Sequence, residues 1–434
     1  MISMRKGCSR IWIIVLLFTG CLATAQPVVK TPAKSIKEFM DKRFGMFIHW
    51  GPVTLRGTEI GWSRGEQVPT AEYDNLYKEF NPVLFDADAW IKAAKDAGMK
   101  YLTITAKHHD GFCLWPTAAS DYTIMHGPFK RDIVDELAKA CKKQGISFCI
   151  YFTVLDWHDP DYPIHRMGKD TTGNMPVFVK RMKAELKELI TKYHPAMLWF
   201  DGYWEKPWTA AYGNKIYQYI KSVDPGIVVN NRLGKDYSGL NAPEAVGDFL
   251  TPEQQIGKLN MTEPWESCMT IAEQWAWKPN DKMKSLKQCI QTLVRSASGN
   301  GNLLFNVGPM PDGRIEARQV TRLKEMGDWL KIYGESIYAT QGGPFVPVES
   351  YGATRKGTRI YVHVFERKEE MLKLPALPGV TIIKAYFLKG KPVTWQQDGS
   401  GIVLQLPLSM PDANSNVIVL ETDKSTESIP VVGN

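Results

Sequence analysis

The feature that most constrains this chain is a regular alternation of short apolar runs with amphipathic segments, from about residue 36 to residue 340. Apolar runs with strand character are Gly45–Ile48, Tyr101–Thr105, Phe148–Thr153, Met197–Phe200, Ile227–Val229 and Leu303–Val307. Helical periodicity predicts helices at Ala87–Asp96, Arg131–Gln144, Val177–Tyr193, Ala211–Val223 and Met283–Ala297. Continuous apolar strands separated by helices indicate a parallel sheet that is covered on both faces.

A sheet of this kind, over about 300 residues, closes most economically into a (β/α)8-like TIM barrel. An open, doubly wound sheet is the alternative. The barrel is favoured because no glycine-rich phosphate-binding loop follows the first strand, and because polar residues follow nearly every strand. We therefore expect an α/β fold with a catalytic-scale barrel over residues 30–343.

The pattern changes after Gly342-Gly343-Pro344. Short β-rich runs follow, separated by turn residues and without a long helical segment: Arg359–Phe365, Thr381–Leu388, Ile402–Leu406 and Asn416–Leu420. This spacing predicts a C-terminal antiparallel β-sandwich over residues 344–434.

The N-terminus has the features of an export signal. Arg5, Lys6 and Arg10 precede an apolar run of eight residues, and Ala23-Thr24-Ala25 follows as a small-residue cleavage site. The run is about half of the ~20 residues that a membrane-spanning helix needs, and no later segment is longer. We therefore expect residues 1–25 to be a signal peptide and the protein to be periplasmic or secreted.

A lipoprotein signal is an equally good interpretation of the same segment. Thr19-Gly20-Cys21 resembles a lipobox, in which Cys21 would be lipidated, although Phe18 stands where leucine is usual. Removal of the leader lowers the formal charge from +7 to +4, which gives no reason to expect nucleic acid as a partner. Five cysteines remain, without CxxC spacing, so neither a disulfide framework nor a zinc site is indicated.

Polar and aromatic residues follow the predicted strands at six places. In a parallel barrel these strand ends and the loops after them form the active face. The residues in question are His49-Trp50, Lys107-His108-His109-Asp110, Asp156-Trp157-His158, Trp199-Phe200-Asp201-Gly202, Asn230-Asn231-Arg232 and Asn306. Their convergence on one face predicts a polar pocket with aromatic walls.

Carboxylates are the best candidates for chemistry in this pocket. No GxSxG motif is present, and no cysteine follows a strand end with a histidine near it in sequence. Asp201 ends a predicted strand, with an aromatic residue before it and Gly202 after it. Such a carboxylate can act as a nucleophile in retaining glycoside cleavage if a second carboxyl group lies ~5–5.5 Å away. A helix cap or a loop salt bridge is the structural alternative.

The adjacent histidines admit three interpretations. His108 and His109 could be metal ligands, but adjacent residues on an extended chain point in opposite directions, and no partner with HExxH-like spacing is present. Hydrogen bonding to substrate hydroxyl groups suits imidazole better, and buried structural histidines are the third possibility. We expect neither a metal nor another cofactor.

At these residues the sequence resembles glycoside hydrolase family 29, the retaining alpha-L-fucosidases. Six segments match in the family's order across some 270 residues: Phe44–Gly51, Lys107–Phe112, Trp199–Gly202, Gly247–Phe249, Trp265–Cys268 and Asn302–Pro309. The resemblance implies a (β/α) barrel with a C-terminal β-sandwich, and release of terminal alpha-L-fucose from fucosylated glycans by a two-carboxylate double displacement. Barrels do not dictate activity, so a lectin-like binding protein and a metal-dependent hydrolase remain the rival functions.

The resemblance also implies residue roles. Asp201 matches the nucleophile, and the residues that match substrate-binding positions are His49, His108, His109, Trp199 and Arg232, with looser matches at Tyr151 and Trp62. The acid/base position varies in the family, and Glu253 and Glu266 are its candidates here. We favour Glu253, because it follows Gly247-Asp248-Phe249 in a proline-containing loop that can reach over the pocket. Glu266 would then bind substrate or orient Arg232.

Overall fold

The computed structural model describes residues 29–166 and 170–433. The predicted export signal and Cys21 lie outside these residues. Seven parallel strands form the first sheet, and they pair in the order β5-β4-β3-β2-β1-β7-β6. The strands are β1 (Phe44–Ile48), β2 (Tyr101–Lys107), β3 (Ser147–Thr153), β4 (Met197–Asp201), β5 (Val228–Val229), β6 (Glu266–Thr270) and β7 (Asn302–Val307).

An irregular segment, residues 246–253, closes the gap between the two edge strands. On one side the Asp248 N–H donates to the Val229 carbonyl at 2.7 Å, next to β5. On the other side the Glu266 N–H donates to the Leu250 carbonyl at 2.9 Å, next to β6. The segment therefore occupies the eighth position of the barrel, and the predicted fold class is confirmed.

The described part of the chain has eight α-helices, and the longer ones cover the outside of the sheet. The eight helices are α1 (Ala33–Met40), α2 (Thr70–Tyr73), α3 (Ala87–Asp96), α4 (Ile133–Gln144), α5 (Met175–Tyr193), α6 (Ala210–Val223), α7 (Leu286–Ser298) and α8 (Ala317–Tyr333). Helix α4 shows why the sequence folds this way. Its apolar stripe is buried, the Asp132 side chain accepts the Asp135 N–H at the N-terminus, and Gly145 ends it in the left-handed conformation.

The five predicted helices and six predicted strands are all present, with small shifts at their ends. Strand β6 was not predicted, since Glu266, Ser267 and Thr270 interrupt its apolar character although all three are buried. Helices α1, α2 and α8 were not predicted either.

Two antiparallel sheets follow the barrel. One has the order β12-β15-β10-β9-β8 and the other the order β11-β14-β13. Their strands are β8 (Gln341–Gly342), β9 (Tyr351–Lys356), β10 (Arg359–Val364), β11 (Met371–Leu374), β12 (Ile382–Phe387), β13 (Trp395–Asp398), β14 (Gly401–Gln405) and β15 (Asn416–Thr422). They enclose a core drawn from residues 345–429, so a second core follows the barrel. The boundary at residue 344 stays a prediction, and β8 pairs with β9 just before it.

None of the helices in residues 29–166 and 170–433 is long and apolar enough to cross a membrane. The five cysteines in these ranges are buried and have free thiols.

Candidate active site

A cavity of about 390 Å³ opens at the carboxyl ends of the barrel strands. Aromatic side chains form most of its wall, and histidines and carboxylates supply its polar groups. The lining residues are Phe47, His49, Trp62, His108, Tyr151, Trp199, Asp201, Trp204, Glu253, Cys268 and Trp275. A concave, aromatic-walled site with a few converging polar groups is typical of a small-ligand pocket.

Asp201 lies at the base of this cavity as the last residue of β4. Gly202 follows with φ +100°, and a Cβ there would come within 2.7 Å of Leu155, so this turn requires glycine. Oδ1 of Asp201 accepts a hydrogen bond from Arg232 at 2.8 Å, and Oδ2 accepts one from the Tyr151 hydroxyl at 3.4 Å. Burial acts to raise the pKa of Asp201, but Arg232 and His109 outweigh it and hold this pKa below its usual range. The carboxylate is therefore ionised at neutral pH.

Arg232 follows β5 and is held by the segment at the eighth barrel position. Its Nε donates to the Thr251 hydroxyl at 2.9 Å, and its Nη2 donates to the Thr251 carbonyl at 3.0 Å. Its Nη1 donates to Asp201 and also to Oε2 of Glu253, each at 2.8 Å. The guanidinium carbon lies 4.6 Å from the centre of the Trp199 ring. Arg232 thus links two carboxylates that come from different barrel positions.

Glu253 reaches the cavity from the loop after the eighth position. Its side chain is 42% exposed and accepts a hydrogen bond from Arg232. Because one oxygen of Asp201 and one of Glu253 lie 2.8 Å from the same nitrogen atom, these oxygens are at most twice that distance apart. This limit is compatible with the ~5–5.5 Å carboxyl separation of retaining glycosidases.

Glu266 lies in a different environment, inside the barrel. It is completely buried, and Trp199 Nε1 donates to its Oε1 at 3.1 Å while the Tyr101 hydroxyl hydrogen-bonds its Oε2. Burial raises the pKa of Glu266 to about 8, and these two hydrogen bonds oppose the rise. Glu266 does not line the cavity, and it reaches the site through Trp199, which lies between Glu266 and Arg232.

His49 and His108 line the cavity, whereas His109 does not and lies beside His108 and Asp201. Nδ1 of His49 hydrogen-bonds Oδ1 of Asn306 at 2.7 Å, and the His108 ring stacks on Tyr151 at 5.3 Å. Nδ1 of His109 hydrogen-bonds the Thr153 hydroxyl at 2.8 Å, and its Nε2 lies 3.6 Å from Oδ2 of Asp201. Burial lowers the pKa of His49 to about 3 and that of His108 well below its usual value, so both rings are neutral.

The expectation that His108 and His109 point in opposite directions is wrong. Their ring centres are 4.2 Å apart. The strand rule does not apply, because β2 ends at Lys107 and the chain turns at the two histidines. Among residues 29–166 and 170–433, no group of three or more His, Cys, Asp or Glu side chains is arranged to hold a metal ion.

Two polar strand-end residues support the site from behind. Nζ of Lys107 lies 2.8 Å from Asp156 and 3.0 Å from Glu185, and all three side chains are buried. Oδ1 of Asp156 also accepts the backbone N–H groups of His158 and Asp159, each at 2.9 Å. Lys107 and Asp156 therefore stabilise the loops that carry the histidines.

Trp204 was missed by the sequence analysis. It lines the cavity, its ring stacks on Trp62 with centres 5.9 Å apart, and it is 41% exposed. It stands three residues after Asp201, outside any periodic segment, so the available signal was its place in the loop after β4.

A second cavity, of about 560 Å³, adjoins the first. We call it the outer groove. It is lined by Tyr203, Trp204, Asn231, Arg232, Tyr237, Leu250, Thr251, Pro252, Glu253, Gln255, Gly257, Lys258, Leu259, Asn260 and Trp265. Only Trp204 and Glu253 line both cavities, so these two side chains mark the junction.

Comparison with known proteins finds the same family throughout. The family model described as alpha-L-fucosidase matches residues 23–335. The tissue alpha-L-fucosidase of Macaca fascicularis is 28% identical, over 94% of this chain and 95% of that protein. Alpha-L-fucosidase isoenzyme 1 from Paenibacillus thiaminolyticus superposes with a TM-score of 0.83 at 32% identity, covering 90% of this chain and 99% of that one. A further solved structure is a trapped covalent intermediate of the alpha-L-fucosidase from Bacteroides thetaiotaomicron with 2-fluoro-fucosyl fluoride. It superposes with a TM-score of 0.82 at 30% identity, covering 91% of this chain and 97% of that one.

Proposed function

The chain belongs to the alpha-L-fucosidases of glycoside hydrolase family 29, and on this premise we propose that it releases terminal alpha-L-fucose from glycans with retention of configuration. The observation that carries the proposal is the joint hydrogen bonding of Asp201 and Glu253 to Nη1 of Arg232. It brings two carboxyl groups close enough for a double displacement. The covalent intermediate trapped in the Bacteroides thetaiotaomicron relative supports the same chemistry.

Asp201 is the nucleophile in this mechanism. Arg232 and His109 keep its carboxylate ionised, and burial excludes water from it. The ionised oxygen can therefore attack the anomeric carbon. Attack forms a bond between an Asp201 oxygen and that carbon while the glycosidic bond breaks. The product is a fucosyl ester on Asp201 and a free leaving group.

Glu253 is the acid/base. In the first step it gives a proton to the departing glycosidic oxygen, and in the second step it takes a proton from the water that attacks the ester. Its position supports this role, because it stands at the junction of the two cavities, where the bond between fucose and leaving group would lie. Glu266 lacks this access, since it is buried and both its oxygens are engaged by Trp199 and Tyr101.

The histidines bind the fucose hydroxyl groups. An imidazole whose one nitrogen is hydrogen-bonded to the protein presents the other nitrogen at a fixed angle. In His49 the committed nitrogen is Nδ1, through Asn306, and in His109 it is Nδ1, through Thr153. Nε2 of His109 has no hydrogen-bond partner in the described part of the chain and is therefore free to bond a hydroxyl group beside Asp201. Tyr151, Trp199 and Trp62 supply the apolar wall against the sugar ring.

Incubation with an aryl alpha-L-fucoside tests the proposal. The anomeric proton of the product is followed by NMR, with and without EDTA. We expect alpha-L-fucose as the first-formed anomer and no effect of the chelator. First formation of beta-L-fucose would exclude retention, loss of activity with EDTA would favour a metal-dependent hydrolase, and fucose binding without turnover would favour a lectin-like protein.

We also propose that the protein is exported, on the strength of the N-terminal signal. The mass of the mature chain distinguishes cleavage after Ala25 from lipidation at Cys21. An intact leader in the purified protein would exclude both.

A further inference from the structure

We propose that the outer groove binds the leaving-group side of the substrate, as a site for an oligosaccharide of about two sugar residues, with Tyr237 as its stacking platform. The inference rests on the proposed function and deepens it. It concerns the part of the glycan that remains after fucose has left.

The first observation is the distribution of exposed aromatic side chains. Among residues 29–166 and 170–433, only Trp204 and Tyr237 are aromatic residues in the exposed class, at 41% and 60%. Both line the outer groove. Exposed aromatic surface is costly in water, and its confinement to one groove marks a binding surface.

The second observation is the arrangement of the aromatic rings. Tyr237 packs edge-to-face on Tyr203 with ring centres 5.1 Å apart, and Tyr203 packs in the same way on Trp204 at 5.5 Å. Trp204 in turn stacks on Trp62 in the first cavity, of about 390 Å³, which we call the fucose cavity. A continuous row of rings therefore leads from the fucose cavity along the groove, and aromatic faces are suited to the C–H faces of pyranose rings.

The third observation is the position of the groove relative to the two carboxylates. Asp201 lines only the fucose cavity, whereas Glu253 lines both. A general acid protonates the oxygen between the sugar and its leaving group. A leaving group attached at this oxygen extends away from Asp201, past Glu253, into the outer groove.

The size and polarity of the groove indicate its ligand. A volume of about 560 Å³ falls in the range of small-molecule pockets and exceeds the 390 Å³ of the cavity assigned to fucose. Gln255 and Lys258 also line the groove and supply amide and ammonium groups for sugar hydroxyls, whereas the Asn260 amide is engaged by Thr262 and Glu263. In the described part of the chain, Lys258 has no ion-pair partner. A hydroxyl-rich leaving group fits this combination of aromatic and polar walls better than an apolar one.

Two substrates separate the groove from the fucose cavity. Alpha-L-fucosyl fluoride has a leaving group of one atom and does not enter the groove, whereas a trisaccharide with fucose on a neutral disaccharide would fill it. The quantity to measure is the ratio of kcat/KM for the trisaccharide to kcat/KM for the fluoride. This ratio is independent of the fraction of active enzyme, so partial misfolding of a variant does not affect it.

We expect Tyr237→Ala to lower this ratio at least about tenfold, mainly by raising KM for the trisaccharide. The value of kcat/KM for the fluoride should stay within about twofold of that of the wild type. Tyr237→Phe should retain most of the ratio, because the ring and not the hydroxyl is the platform. Tyr219→Ala is the matched control, since Tyr219 is a partly exposed tyrosine of α6 that lines neither cavity.

An unchanged ratio in Tyr237→Ala would overturn the proposal, as would an equal loss with Tyr219→Ala. Failure of the wild-type protein to hydrolyse even the fluoride would instead contradict the proposed function. A second measurement is calorimetric titration of the free disaccharide into wild-type protein and into Tyr237→Ala, with weaker binding expected in the variant.

Discussion

Asp201 and Glu253 are joined through a single atom, Nη1 of Arg232, which lies 2.8 Å from one oxygen of each. The charge of Arg232 favours the ionised form of Asp201, and its shared nitrogen keeps one oxygen of each carboxyl group close to one of the other. Thr251 holds the guanidinium group in this position through a backbone and a side-chain oxygen. The arrangement leads to predictions for each member of the group.

Arg232→Met should move the acidic limb of the kcat/KM profile to higher pH. Arg232 lowers the pKa of Asp201, so its removal raises that pKa, and more alkaline solution is then needed to ionise the nucleophile. We also expect kcat to fall by about 10²-fold or more at neutral pH. The profile is measured with an aryl fucoside, and Arg56→Met is the control, because Arg56 pairs with Glu72 away from the cavities. An acidic limb at the wild-type pH would contradict the role of Arg232.

Asp201→Gly should reduce kcat by about 10³-fold or more for every fucoside, because no other group can form the ester. Added azide should restore turnover and give the beta-fucosyl azide, since a small anion attacks from the vacated face. The product is identified by NMR, and Asp121→Gly, which alters a fully exposed aspartate, is the control. A near-normal kcat in Asp201→Gly would show that Asp201 is not the nucleophile.

Glu253→Ala should strongly reduce the rate at which natural oligosaccharides are cleaved. The glycosylation step with activated aryl fucosides should be slowed less. A poor leaving group needs protonation as it departs, whereas an aryl group of low pKa does not. We also expect the basic limb of the pH profile to flatten, and azide to give the retained alpha-azide. The same substrates, pH series and azide product are measured for Glu266→Ala, in which both substrate types should lose rate together and the basic limb should persist. If Glu266→Ala gives the alpha-azide and loses the basic limb while Glu253→Ala does neither, the two roles are reversed.

Glu266→Gln should change how stability depends on pH. Burial raises the pKa of Glu266 to about 8 in the folded protein, well above its unfolded value of 4.5. Between these values the folded state retains a proton that the unfolded state has lost, so the wild type loses stability as pH rises, by up to about 1.4 kcal/mol per pH unit. The glutamine amide is neutral throughout and can still accept the Trp199 hydrogen bond. We therefore expect the free energy of unfolding of Glu266→Gln, measured in urea from pH 5 to 8, to exceed that of the wild type by an increasing amount. A constant difference across this range would show that Glu266 does not hold a proton in the folded state.

The barrel could be predicted from the sequence because local patterns report burial directly. A strand covered on both faces is apolar along its whole length, as at Phe148–Thr153, and a helix that packs on a sheet repeats its apolar residues every three or four positions, as in α4. The rule that strand ends share one face then placed His49, Asp201 and Arg232 together. The prediction failed where a buried strand contains polar residues, as in β6 with its buried Glu266.

The different environments of the two glutamates show what only the tertiary structure decided. Glu253 and Glu266 are thirteen residues apart in one stretch of chain, and both were candidates for the acid/base. The sequence by itself determined the fold class and the polar strand ends, since both follow from local periodicity and strand polarity, whereas the role expected for Asp201 came from the resemblance to the family. The exposure of Glu253, the burial of Glu266 and the meeting of Arg232 with two carboxylates depend on the register of β4, β5, β6 and the irregular eighth position. That register is set by contacts between segments distant in sequence, and no local pattern encodes it.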